Sequence, residues 1–174
     1  IQQPIRSFNL SHEGGYYSQP IYLKINSFFN DSIYFTRDGS LPTLQSNVFK
    51  DSLFLDFLYQ IENRLSSIPS APDELWEEPK SIVDKAHILR FQAFRDGVPI
   101  GETISQTYFI DSLYHDKYHL PVISLMTDEG HFFSHENGIY VPGITFNPLN
   151  PLLSGNYFQR GEDWERPIHI EYFD

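Results

Sequence analysis

Two pairs of histidines have the spacing of metal ligands, His115 with His119 and His131 with His135. On a helix face an i, i+4 pair lets two imidazoles share one cation. Neither pair continues into His-Glu-x-x-His, because Asp116 and Phe132 stand in the second position. Neither lies in a strong helical pattern, and a chain with seven histidines produces such spacings by chance. No metal site is expected. A denser group follows near the C-terminus, where Arg160, Glu162, Asp163, Glu165 and Arg166 surround Trp164. Arginine forks match carboxylate and phosphate, so one reading is a recognition surface. The other is a hairpin held by ion pairs with Trp164 in the core, since structural ion-pair networks imitate sites. Glu165 and Glu171 supply two carboxylates for glycoside chemistry, but their separation is not legible in sequence. Tyr16, Tyr17, Tyr22 and Trp76 could stack on sugar rings, although in so aromatic a chain most rings serve as core or cross-strand partners.

Other chemistries lack their signatures. The chain contains no G-x-G-x-x-G, no G-x-x-x-x-G-K-[ST] and no G-x-S-x-G. It has no cysteine, which removes disulfides, thiolate catalysis and Cys-based zinc or iron–sulfur sites. Twelve Lys and Arg stand against twenty-three Asp and Glu, a formal charge of −11. Nucleic-acid backbones and anionic membrane surfaces are therefore poor partners. The 174 residues are 40% hydrophobic, with fifteen Phe and eleven Tyr, enough for a packed core. No apolar run approaches the roughly 20 residues of a membrane-spanning helix. The sequence begins at Ile1 with neither an initiator Met nor a signal-peptide pattern, so a processing boundary is expected there.

The elements that must position these groups read mainly as strands. Gln19 to Ser27 alternates, placing Ile21, Leu23 and Ile25 on one face, and Ser32 to Thr36 repeats the pattern through Ile33 and Phe35. Asp38-Gly39 follows as a tight turn. Lys85 to Arg95 puts His87, Leu89, Phe91 and Ala93 on a core face, Asp96-Gly97 turns the chain, and Glu102 to Ile110 returns as the partner. Residues 44–84 break this rhythm. Asp51 to Leu65 fits an amphipathic helix, but a strand near Ser52 to Leu55 followed by loop or short helical turns is preferred, with a Pro-rich excursion around Trp76. Leu120 to Thr127 reads as a buried strand, Gly138 to Val141 as a second and Ile168 to Phe173 as a third. That last strand is expected to lack its partner, so the second domain is expected to be truncated.

Tyr34-Phe35-Thr36-Arg37-Asp38-Gly39-Ser40-Leu41-Pro42-Thr43 resembles the Tyr-x-Thr-x-Asp-Gly-Ser-x-Pro-Thr hairpin of the chitobiase/β-hexosaminidase C-terminal type domain. The strand Ala86 to Phe94, Asp96-Gly97 and Thr107 to Ile110 resemble its later strands, so the likeness covers about residues 5–112. Leu120 to Leu125, Gly138 to Val141 and Gly155 to Asp174, with Asn156, Arg160, Gly161, Trp164 and Pro167, are similar to the opening of a CotH-family domain. CotH proteins include spore-coat proteins and atypical secreted protein kinases. The resemblance implies a mainly β fold: an antiparallel immunoglobulin- or fibronectin-III-like sandwich over 1–112 with an insertion at 44–84, a linker at 113–119, and the opening of a mixed α+β domain over 120–174. It implies an exported, extracellular or cell-surface protein whose partners are a protein or a surface glycan. The expected function is that of a non-catalytic accessory module. The alternatives are the leading portion of an atypical kinase and a carbohydrate-binding module. In the kinase case ATP and a divalent metal would be held by residues beyond 174, so no catalytic or cofactor residue carries over to this chain.

Overall fold

The computed structural model describes residues 7–28, 31–72, 75–113, 117 and 119–174. The fold is mainly β, as the alternation of the sequence implies. Eleven strands are described: β1 Phe8–Leu10, β2 Gly15–Tyr17, β3 Ile21–Leu23, β4 Ile25–Ser27, β5 Ser32–Thr36, β6 Asn47–Val48, β7 Leu53–Leu55, β8 His87–Arg95, β9 Val98–Ile110, β10 Val122–Met126 and β11 His169–Phe173. A short α-helix, α1, spans Glu129–Phe133, and isolated 3-10 turns occur at Leu65–Ser67, Asn156–Phe158 and Glu162–Trp164.

The chain forms two compact units. The first comprises Ile1–Leu58, Lys85–Met126 and His169–Asp174; the second comprises Tyr59–Asp84 and Thr127–Ile168.

In the first unit the sheet order is β2-β9-β8-β5-β6, antiparallel except for β2 on β9. Its centre is the β8–β9 hairpin. Asp96 and Gly97 close it with φ of 51° and 80°, the two left-handed residues that a tight I′-type turn demands. The period of two then places Leu89, Phe91 and Ala93 on the buried face. Phe8 of β1, Ile21 and Leu23 of β3, and Leu55 of β7 join the same core cluster. The register shift between Phe91 and Ala93 is a bulge in β9, whose residues 101–103 stand opposite Gln92 alone, and Gln92 is buried there. Its amide is fully used: Nε2 donates to the Ile100 carbonyl at 2.9 Å and Oε1 accepts from the Thr103 hydroxyl at 2.7 Å.

Several strands differ from the sequence reading. Gln19 to Ser27 is two strands, because Lys24 turns its backbone toward Ser11. The Lys24 amide donates to Ser11 Oγ at 2.8 Å and its carbonyl accepts from the Ser11 amide at 2.9 Å. The chain thereby leaves the ladder with β7 and joins β1. The amphipathic helix that Asp51 to Leu65 permitted is not formed; β7 and a later 3-10 turn occupy this stretch, in line with the preferred reading. The strand at 120–127 is shorter and is not buried: β10 keeps Met126 inside but exposes Ile123 and Leu125. Gly138 to Val141 is not a strand. Its amides fold back on the helical turn, Gly138 to the Ser134 carbonyl, Ile139 to His131 and Tyr140 to Phe132. The C-terminal strand does have a partner, since β11 pairs antiparallel with β10 from Val122↔Phe173 to Met126↔His169.

His87 begins β8 on the core side, half-buried, with Nε2–H donating to the Asp56 carbonyl at 2.7 Å. Burial, chiefly, holds its pKa below the ordinary histidine value. The unfolded chain therefore takes up this proton first as pH falls. The His87 contribution to stability is intact above about pH 6.5 and declines below it, toward the depressed folded pKa. His87→Gln keeps a neutral donor for Asp56. We expect the melting temperature of the variant to fall less than that of the parent between about pH 7.5 and about pH 5. Equal falls in the two proteins would remove His87 as the cause.

Candidate functional site

The Arg160–Arg166 group lies in the second unit, where Gly161 (φ 97°) starts the 3-10 turn Glu162–Trp164. The expected ion pairs are not what organises it. Arg166 donates to the Asn137 carbonyl through Nε at 3.1 Å and Nη2 at 2.8 Å, and through Nη1 to the Asp163 and Glu165 carbonyls at 2.8 Å each. Its guanidinium also lies over the Trp164 ring, 5.6 Å from the centroid. Arg160 donates to the Tyr157 and Gln159 carbonyls at 3.2 and 2.7 Å. Trp164 is half-buried and does not enter a core, while Glu162, Asp163 and Glu165 are exposed. Five planar N–H groups suit several carbonyls as well as they suit one carboxylate, and here backbone acceptors lie closest. The geometry gives these arginines a clamping role and leaves the three carboxylates facing water.

The residue that holds this region together is Asn156, which no motif singled out as a site. It is 1% exposed. Its Nδ2 donates to the His135 carbonyl at 3.0 Å, its Oδ1 accepts from the Thr145 hydroxyl at 3.0 Å, and its amide donates to the Pro142 carbonyl at 2.8 Å. Gly143 makes room for it: a Cβ at that position would stand 2.0 Å from Asn156 Nδ2, and its φ of 58° independently favours glycine. The available sequence signal is the Gly155-Asn156 pair at the end of the Pro/Asn/Gly-rich loop, which does not reveal that the side chain is buried.

The histidine pairs do not make a ligand set in the described residues. His115 lies outside them. His131 is on α1, whereas His135 follows the extended cap at Ser134, so the two do not share a helix face. Thr127 has one hydroxyl proton, which it donates to the Pro167 carbonyl at 2.7 Å, so His131 Nδ1–H donates to Thr127 Oγ1 at 2.7 Å. Glu165 and Glu171 fall in different compact units. Glu171 is committed within the first, where it accepts from the buried Thr107 hydroxyl. Because the Thr107 proton is donated to that carboxylate, Ser124 Oγ is the donor to Thr107 Oγ1 at 2.7 Å.

Of the aromatic candidates, Tyr16 stacks on Phe109 at 4.9 Å and meets Phe173 edge-on. Tyr17 donates to the Glu13 carbonyl at 2.6 Å. Trp76 is half-buried in the second unit. Tyr22 differs: it is 60% exposed and lies beside exposed Phe54 across the β3–β7 ladder, ring centroids 4.8 Å apart.

No family model, curated protein or solved structure matches this chain.

If Arg166 works as a backbone clamp, Arg166→Lys should behave like Arg166→Ala. A lone ammonium keeps the charge but cannot span three carbonyls in a plane. Both variants should lose about 1–3 kcal/mol in urea unfolding. Restoration of stability by lysine would show that charge alone is what matters there.

Proposed function

We propose that this chain is a non-catalytic accessory or interaction module, set at the front of an exported or surface-located protein of CotH type. The finer description of its β core as an immunoglobulin- or fibronectin-III-like sandwich belongs to the same proposal. One observation carries it: the most family-like stretch, Tyr34 to Thr43, spends its polar side chains on its own turn. The Thr36 hydroxyl donates to the Ser40 carbonyl at 2.6 Å, and the Ser40 amide and hydroxyl donate to Asp38 Oδ1 at 3.0 and 2.6 Å. Arg90 reaches across from β8 to the Gly39 carbonyl at 2.8 Å. A motif consumed in this way supports a scaffold, because its donors and acceptors are already engaged before any ligand arrives.

A second reading, glycan binding by the same unit, is favoured by the Tyr22–Phe54 pair. Two exposed, tilted rings offer the apolar platform that the C–H face of a pyranose complements.

The two readings are tested on the 174-residue protein. In the presence of ATP with magnesium or manganese, no saturable nucleotide binding and no phosphoryl transfer are expected. Stoichiometric nucleotide binding would overturn the non-catalytic reading of this chain, and with it the expectation that ATP-holding residues lie beyond 174. On a glycan array, any retained sugar should be lost in Tyr22→Ala and Phe54→Ala, and a blank array would dispose of the second reading.

A further inference from the structure

The second unit has an unusual balance of surface and core. Val141 is its one buried hydrophobic among the described residues. Leucine and aromatic side chains instead border a hollow of about 330 Å³ formed by Pro72, Leu75, Tyr140, Leu152, Tyr157 and Phe158, among others. All of these residues belong to this unit. Leu75 and Leu152 are 61% and 67% exposed. A contiguous exposed apolar patch of this sort marks an interaction site more often than a free surface.

The walls are braced. Tyr140 meets Phe132 and Phe133 edge-on at 6.4 and 6.1 Å, and Tyr157 meets Phe158 at 5.2 Å. The Tyr157 ring lies against Gly155, where a Cβ would stand 2.8 Å from Cζ. Consecutive residues extend the concavity, since Pro69 and Val141 line a neighbouring hollow of about 310 Å³.

Charge selects the occupant. The unit contains twelve Asp and Glu against four Lys and Arg, a net of −8, while the first unit carries −3. Its four cations are engaged: Arg64 with Glu129 at 2.6 Å, Lys80 with Glu77 at 3.8 Å, and Arg160 and Arg166 on backbone carbonyls. A second copy of so acidic a surface is repelled, and a segment of opposite sign is steered toward it.

We propose that this hollow docks a cationic polypeptide segment, taking a Leu or Pro anchor between flanking Lys or Arg residues. The inference stands apart from the Tyr34 to Thr43 hairpin, so either can fail without the other.

The test uses the whole 174-residue chain and a fluorescein-labelled synthetic peptide with Leu-Pro between Lys and Arg. Two control peptides carry Glu for the cations or Ser for the Leu-Pro pair. Saturable anisotropy is expected with the first peptide alone, weakening as salt rises. Leu75→Ser and Leu152→Ser should weaken it about tenfold or more, the scale of one buried leucine. Both side chains are exposed, so unchanged melting temperatures should accompany the loss. Should either variant melt early, the charge reversals Glu77→Lys and Glu78→Lys, at exposed positions, should still weaken binding. Equal binding by the peptide without its anchor would leave only nonspecific charge attraction and overturn the proposal. So would variants that bind like the parent, or self-association of the parent abolished by Leu152→Ser, which would identify a second copy as the occupant.

Discussion

The β8–β9 hairpin is the constraint on which the first unit depends. A buried strand must pair its backbone polar groups, and each edge of this long ribbon satisfies that need for another strand. β5 takes the free edge of β8 and β2 takes that of β9. The turn at Asp96-Gly97 fixes the register, and a slip of one residue would turn Leu89 and Phe91 away from the core. The bulge that β9 makes opposite Gln92 answers to the same rule. Gln92 can be buried opposite it because the Ile100 carbonyl and the Thr103 hydroxyl engage its amide.

The two units solve the problem of stability in different ways. The first buries an apolar cluster in which Phe35, Phe49 and Phe91 meet at centroid separations of 6.0–6.5 Å. The second has no strand ladder among its described residues and is knit by side chains bonded to backbone: Asn156 to His135, Arg166 to Asn137 and Asn63 to Ser81 and Val83. Such bonds fix loops in place without an apolar core, and they leave hydrophobic groups on the outside.

The parts of this fold that were legible in the sequence are those with a local physical cause. Alternation through Ile33 and Phe35, and through Leu89, Phe91 and Ala93, gave the buried faces because side chains in a strand repeat every two residues. Asp96-Gly97 gave its turn because few residues adopt positive φ cheaply. What failed depended on distant partners. The apolar run Gly138 to Val141 suits a strand, yet its amides find carbonyls on the preceding helical turn. The pairing of β11 with β10 joins residues more than forty positions apart, and no local pattern carries it. The site followed the same division. The clustering of Arg160 to Arg166 was visible, whereas the choice of carbonyls over carboxylates was decided by the surrounding loops. Burial of Asn156 was hidden for the same reason.

The pairing of Met126 with His169 has a kinetic meaning. The segment between them leaves and returns at facing positions of one ladder, so that ladder forms only after a loop of about forty residues has closed. Closure entropy grows slowly with length, about 0.6 kcal/mol for each doubling, so the equilibrium cost differs little from that of a much shorter connection. The delay falls on folding rate, because non-local pairing cannot be rewarded until the ends meet. In order of assembly, the local β8–β9 hairpin is placed to come early and the β10–β11 ribbon late.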